Sequence, residues 1–230
     1  MIEVEAPIET DRLIVRPFRK ADLDDLADIH GRPEVARYLY WEARSLDEVR
    51  TVLASKITQA VLREDGRRLT LAVELPELRR LVGEVTLAWL SREHRQGEIG
   101  FILHPDFQGR GIATEAAQVV LRLGFEGLDL HRIIGRCDAR NLGSARVMER
   151  LGMRREAHFV ESEIFKGEWG DELLYAILQE EWVRSRAGAR AGAREPVPRA
   201  AAPERPKSPF LVDQRRHLAE DFTAHRRGAH

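Results

Sequence analysis

The stretch Gln108-Gly109-Arg110-Gly111-Ile112-Ala113-Thr114 gathers the residue types that hold an anion through the backbone. It follows an apolar run ending near His104 and precedes a run with helical spacing. Pro105 and Asp106 turn the chain. Gly109 and Gly111 accept positive φ and leave the main chain unobstructed. A helix opening after them presents unpaired N–H groups and the positive end of its dipole. That geometry suits a phosphate, and Arg110 adds a positive charge at the rim.

Several loops share this chemistry. The nucleotide-binding G-x-x-x-x-G-K-[ST] loop needs a lysine, and none is present here. The dinucleotide pattern G-x-G-x-x-G fits GRGIAT poorly. Thr114 stands where the third Gly or Ala belongs, and the segment lies mid-chain after an antiparallel-type pattern. The pattern Q-x-x-G-x-A is met by Gln108, Gly111 and Ala113, and an ordinary glycine-rich helix start remains open beside it. His30, His94, His131 and His158 show no ligand spacing, so no metal site is expected. His104, next to the loop, is a candidate relay.

The elements that must position this loop follow from periodicity. Residues 12–18 alternate as a strand, and 20–30 carry Leu23, Leu26 and Ile29 at helical spacing. A short helix over 32–40 would end near Trp41. Ser45 and Glu48 form a capping box, which predicts a helix from there to about Arg63. Strands are expected at 68–75, 80–90 and 97–104, in an antiparallel meander. The loop then opens a helix over about 112–126. A strand at 132–138, a short helix at 141–152 and strands near 153–166 and 172–179 complete the pattern, which ends near Trp182.

The chain has 230 residues, 43% of them hydrophobic and 33% charged, as in an ordinary globular protein. No run is long and apolar enough for a membrane span. The acidic N-terminus has no apolar signal core, and Cys137 is the single cysteine, so a cytoplasmic location is expected. The net charge of −1 hides an asymmetry: the chain from Arg184 onward carries +6 and the body before it −7. The Ala/Arg/Pro-rich segment 185–209 reads as a disordered linker. Residues 210–230 read either as a short docking helix, with Leu211, Arg215, Leu218 and Phe222 at helical spacing, or as a solvated tail. The acids among its basic residues argue against nucleic-acid binding.

Four segments in register extend the loop's signal. They are ETDRLIVRPFRKADLDDL, GEIGFILHPDFQGRGIATEAAQVVLRLGF, RIIGRCDARNLGSARVMERLGMRREA and WGDELLYAILQEEW. Together they resemble the Gcn5-related N-acetyltransferase (GNAT) superfamily, in its RimJ/RimL-like ribosomal-protein-alanine N-acetyltransferase branch. The likeness covers about residues 9–183, within an expected domain of 1–184. It implies an α/β (α+β) fold: a mixed, mostly antiparallel sheet of about seven strands with a splayed parallel pair and about four flanking helices.

The resemblance also implies chemistry. Acetyl-CoA would lie with its pantetheine arm along Phe101, Ile102 and Leu103 and its pyrophosphate on Gly109 to Ala113, with Gln108 and Thr114 beside it. Glu98 is the candidate base, with a strand carboxylate paired to a nearby arginine as the other reading, and Glu84 is a second candidate. Ser144, in Asn141-x-x-Ser144, aligns with the family's general acid; Tyr175 is a second candidate, with a core tyrosine as the preferred reading. Asn141 would cap its helix and face the coenzyme. Tyr38, Tyr40 and Trp41 fall in the region that lines the acceptor pocket, where they either stack on substrate or fill core. The implied reaction moves an acetyl group to a primary amine, a protein N-terminus or a small molecule, in a ternary complex. Two alternatives stand beside it: a non-catalytic acyl-CoA sensor, and an acyltransferase using succinyl-CoA. The chain would work as a monomer or homodimer.

Overall fold

The computed structural model describes residues 1–190. The expected linker from residue 191 onward and the expected tail 210–230 lie outside the described residues. The unit Met1–Ser185 is compact. Its first strands are short: β1 (Ile2–Glu3), β2 (Ile8–Glu9) and β3 (Ile14–Arg16). Helices α1 (Leu23–His30), α2 (Pro33–Ala36) and α3 (Leu46–Ile57) follow. Then come β4 (Val61–Leu62), β5 (Arg68–Leu75), β6 (Arg80–Ser91) and β7 (Gln96–Leu103). Next are α4 (Ile112–Arg122), β8 (Arg132–Asp138) and α5 (Leu142–Arg150). The chain continues through β9 (Arg154–Phe165), β10 (Glu168–Leu178) and α6 (Gln179–Arg190).

The main sheet has eight strands in the order β2-β3-β5-β6-β7-β8-β10-β9, and β1 pairs with β4 in a separate ribbon. The expected meander is β5, β6 and β7, joined antiparallel. The mixed sheet matches the expected fold class. It has one strand more than the expected seven, the two-residue β2, and the two-residue β1 and β4 form the ribbon outside it. Two residues carry no readable alternation.

The capping box at Ser45 is real: its hydroxyl accepts from the Glu48 N–H, and the Glu48 carboxylate accepts from the Ser45 N–H. Its helix stops at Ile57, short of the expected Arg63. Leu62 is fully buried and pairs with Ile2, so tertiary strand pairing wins over helical spacing there. The helix expected over 32–40 shrinks to α2, a single turn. At the other end, α6 carries the chain past Arg184. Trp182 is buried against Phe125, with ring centroids 5.2 Å apart.

One sheet face packs against α4 and α5. Val119, Val120 and Met148 bury there with Leu87, Ile99 and Ile133. The other face carries α1 and α3, through Leu26, Ile29, Val49 and Leu53 on Ala72 and Leu81. Burial on both faces clamps β6 and β7 in the middle of the sheet. The edge of β7 is therefore a rigid platform for a site.

Candidate active site

Strands β7 and β8 run parallel, but only over the rungs Gln96–Arg132, Gly97–Ile133 and Glu98–Ile134. Beyond Glu98 the two strands part, while β7 continues to Leu103 against β6. The His104 N–H donates to the Val82 carbonyl at 2.8 Å. By the two-residue alternation of an antiparallel ladder, the backbone groups of Ile99, Phe101 and Leu103 then turn toward the gap. Those of Ile102 pair with Glu84 on β6 instead, and Ile102 adds its side chain to the gap. The Leu103 carbonyl accepts from the Gln108 side chain at 3.3 Å.

A cavity of about 420 Å³ occupies this gap. It brings together most of the residues singled out in the sequence: Phe101, Ile102, Leu103, Gln108, Gly109, Gly111, Ile112, Ala113, Thr114, Asn141, Ser144 and Tyr38. Glu98 and Arg110 do not line it; the Arg110 guanidinium lies over the Phe107 ring. Gly109 and Gly111 take φ of 75° and 79°, the left-handed region. Gly111 is the N-cap of α4 and supplies no side-chain cap, so the first N–H groups of that helix face the cavity end uncapped. The Thr114 hydroxyl is buried with no hydrogen-bond partner among the described residues.

The loop is held from behind. The Arg12 guanidinium donates to the Arg110 carbonyl and to Glu115, and Thr10 donates to the same carboxylate. Burial would raise the Glu115 carboxyl, but the bonds from Thr10 and Arg12 hold it below its ordinary range. His104 is fully buried, with one ring nitrogen 3.1 Å from Asp28 and the other accepting from the Asp106 N–H. Both nitrogens are engaged, so this residue acts as a strut between α1 and the loop, and the relay reading has no free nitrogen to use.

The two carboxylates diverge. Glu98 stands at the last parallel rung, the vertex of the gap. Its Oε1 lies 3.7 Å from Arg136 Nε, and its Oε2 is buried with no hydrogen-bond partner among the described residues. Burial pushes its pKa up, Arg136 opposes this, and Glu172 adds to it. Glu84 instead bonds Lys56 at 2.9 Å and approaches His30 at 3.5 Å beneath α1 and α3. Burial alone would raise its pKa, but Lys56 and His30 hold it far below the carboxylate range. A carboxylate held this firmly ionised between two partners is an anchor and a poor base.

Asn141 caps α5 as expected, its side chain accepting from the Ser144 N–H at 3.1 Å. Tyr175 is in the core, its hydroxyl on Glu149 and its pKa raised first by burial. It does not line the cavity. Tyr40 and Trp41 also stay outside the cavity: Tyr40 is exposed, and Trp41 lies on His30 with centroids 4.7 Å apart. Arg146 and Arg150 of α5 and Glu34 of α2 do line it. Sequence reasoning passed over them, although two arginines four apart share one helix face.

A sheet that splays at one parallel pair, with a glycine-capped helix at the mouth, narrows the family. Residues 12–154 match the family described as "Acetyltransferase (GNAT) domain". The chain belongs to the GNAT family of N-acetyltransferases. It is 34% identical over 175 residues to the uncharacterized N-acetyltransferase YnaD of Bacillus subtilis, covering 76% of this chain and 98% of that one. Among solved structures, the GNAT-family acetyltransferase of Bacillus anthracis superposes with a TM-score of 0.68 at 32% identity, covering 76% of this chain and 99% of the other. The spermidine N-acetyltransferase of Vibrio cholerae, solved with CoA and spermine, has the same fold, with a TM-score of 0.63 at 24% identity over 76% of this chain and 99% of that one. GNAT enzymes use acetyl-CoA. The uncapped α4 amides, the orphaned Thr114 hydroxyl and the arginines of α5 are features that such a phosphate-bearing donor fits. Among the described residues, no helix is long and apolar enough to cross a membrane.

Proposed function

We propose that this GNAT enzyme transfers an acetyl group from acetyl-CoA to a primary amine by direct attack in a ternary complex. The observation that carries the proposal is the vertex. The parallel pair ends at Glu98, and past it β7 carries Phe101, Ile102 and Leu103 along the cavity that reaches the glycine loop.

Acetyl-CoA supplies a thioester acyl donor. The α4 amides and Thr114 would hold its pyrophosphate, Arg146 and Arg150 its remaining phosphate, and the free edge at Phe101 and Leu103 its amide arm. Glu98, three residues before the lining residue Phe101, would take the proton of the attacking amine, directly or through water. As the C–N bond forms and the C–S bond breaks, the sulfur leaves as a thiolate. A thiol near pKa 8.5 leaves with little help, so Ser144 would contribute modestly as acid. An α-amine near pKa 8 is partly neutral at pH 7, whereas a lysine-like amine near 10.4 is not. A base with a raised pKa therefore matters most for the more basic acceptors.

The acidic body, −7 before Arg184, favours a cationic acceptor. The spermidine-directed relative from Vibrio cholerae and the RimJ/RimL-like motifs support two kinds of primary amine: a polyamine and a protein N-terminus. The test is an acceptor panel with acetyl-CoA and thiol-release detection, containing spermidine, aminoglycosides, free amino acids and peptides with a free α-amine. Turnover with an amine confirms the transfer. Tight acetyl-CoA binding with no turnover on any amine would point to an acyl-CoA sensor instead.

A further inference from the structure

Helix α2 is one turn long, yet Glu34 and Val35 from it, and Tyr38 and Leu39 just after it, form a wall of the cavity. A single helical turn has no stability of its own in water. Something outside it must hold that wall in place. Two contacts do so. From below, the Arg44 guanidinium bonds His30 Nδ1 at 2.8 Å and covers the Trp41 ring at 4.1 Å. From above comes the tip of the β9–β10 hairpin. Lys166, at φ 52°, precedes Gly167, at φ 89°, in the tight turn. Its ammonium donates to the Ala36 carbonyl at 3.0 Å and the Trp41 carbonyl at 3.1 Å, and pairs with Glu42 at 3.1 Å.

An ammonium has three N–H donors, and here each has a partner. Ala36 is the last residue of α2; its carbonyl accepts from the Leu39 N–H at 2.9 Å and takes a second bond from Lys166. The neighbouring residues repeat the grip. The Phe165 ring meets Tyr40 edge-on, with centroids 5.4 Å apart, and the Tyr40 hydroxyl bonds Glu163 at 2.5 Å.

We propose that Lys166 is a positioning residue for the acceptor: it clamps the segment 36–42 and so fixes the cavity wall that the acceptor amine passes. The proposal rests on the acetyl-transfer reading for its kinetic consequence. Lys166 touches neither the glycine loop nor β7, so acetyl-CoA should be held without it.

Two measurements on the full chain test this. In steady-state kinetics with the best acceptor of the panel, Lys166→Met should raise the acceptor KM about fivefold or more, leaving the acetyl-CoA KM within about twofold. Lys166→Arg, which keeps the charge and several donors, should recover part of the loss. In hydrogen exchange, Lys166→Met should speed exchange in 36–42 by about tenfold, with α4 and β7 unchanged. An unchanged acceptor KM, or both KM values rising together, would overturn the proposal. So would unchanged exchange in 36–42. If the wild-type chain acetylates no amine, the transfer reading fails, and the exchange experiment still decides whether the clamp exists.

Discussion

Arg12 donates from its guanidinium to the Arg110 carbonyl at 2.9 Å, tying the start of the chain to the back of the glycine loop. The same guanidinium forks onto Glu115, at 2.8 Å from Nε and 2.6 Å from Nη2. This gives the early TDR segment a role: it sets the backbone between Gly109 and Gly111 so that the α4 amides point into the cavity.

Arg12→Ala should therefore weaken acetyl-CoA more than it weakens the fold. Its side chain is 51% exposed, so the ion pair adds only about 0–1 kcal/mol to stability. Released from the clamp, the loop must be ordered by the coenzyme itself. The acetyl-CoA KM should rise about tenfold, with kcat and Tm little changed. Arg12→Lys should not restore it, because one ammonium cannot reproduce the fork. Calorimetric titration with CoA checks the affinity without depending on any acceptor.

Gly111→Val should abolish acetyl-CoA binding. At φ 79° a β-branched residue is strained, and its Cβ would approach Arg12 Nη2 at 3.4 Å. The N-cap would shift, and with it the amides of α4. Circular dichroism should show an intact fold while the titration heat disappears. Retained affinity would refute the phosphate-cradle reading.

Glu98→Gln should lower kcat/KM by about tenfold or more, the usual contribution of a general base. The pH profile is the sharper check. Burial raises the Glu98 pKa above its ordinary 4.5, so the wild-type rate should climb with pH through an acid limb displaced upward from that value. The Gln variant should lose the limb. A limb unchanged in Glu98→Gln would assign the base elsewhere.

Local chemistry was readable in the sequence, and long-range chemistry was not. Two glycines that need positive φ, the Ser45–Glu48 box and the Asn141 cap each act within a few residues, and each stands where expected. The strand expected at 132–138 has those bounds in the structure, because turns flank its apolar run. The grip of Arg12 on Arg110 and of Lys166 on Ala36 joins segments that no periodicity relates. For the same reason spacing does not reveal that Tyr40 faces the hairpin tip and Trp41 faces His30. A face of a long helix follows from spacing, but the orientation of a loop follows only from what clamps it.

Acid should loosen the α1–α3 side of the molecule first. His30 is fully buried, and burial lowers its pKa below the ordinary 6.5, with Glu84 opposing that shift. Its Nδ1 accepts from Arg44, which needs the neutral ring. Glu84 also has a lowered folded-state pKa, set by Lys56 and His30 against the effect of burial. Both groups bind protons more tightly in the unfolded chain, so stability rises with pH through their range. The His30 share is complete above 6.5, and the Glu84 share above 4.5; each fades as pH falls toward its lowered folded-state value. Tm should be flat near neutrality and fall on acidification, beginning where His30 titrates. Glu84→Gln should cost about 3 kcal/mol at pH 7, because it strands Lys56 at a site where its side chain is only 12% exposed. Combining Glu84→Leu with Lys56→Met should recover much of that loss, since no buried charge is then unpaired. Urea unfolding of the three proteins between pH 5 and 8 measures both effects, and a double variant as weak as the single one would show that a stranded charge is not the source of the loss.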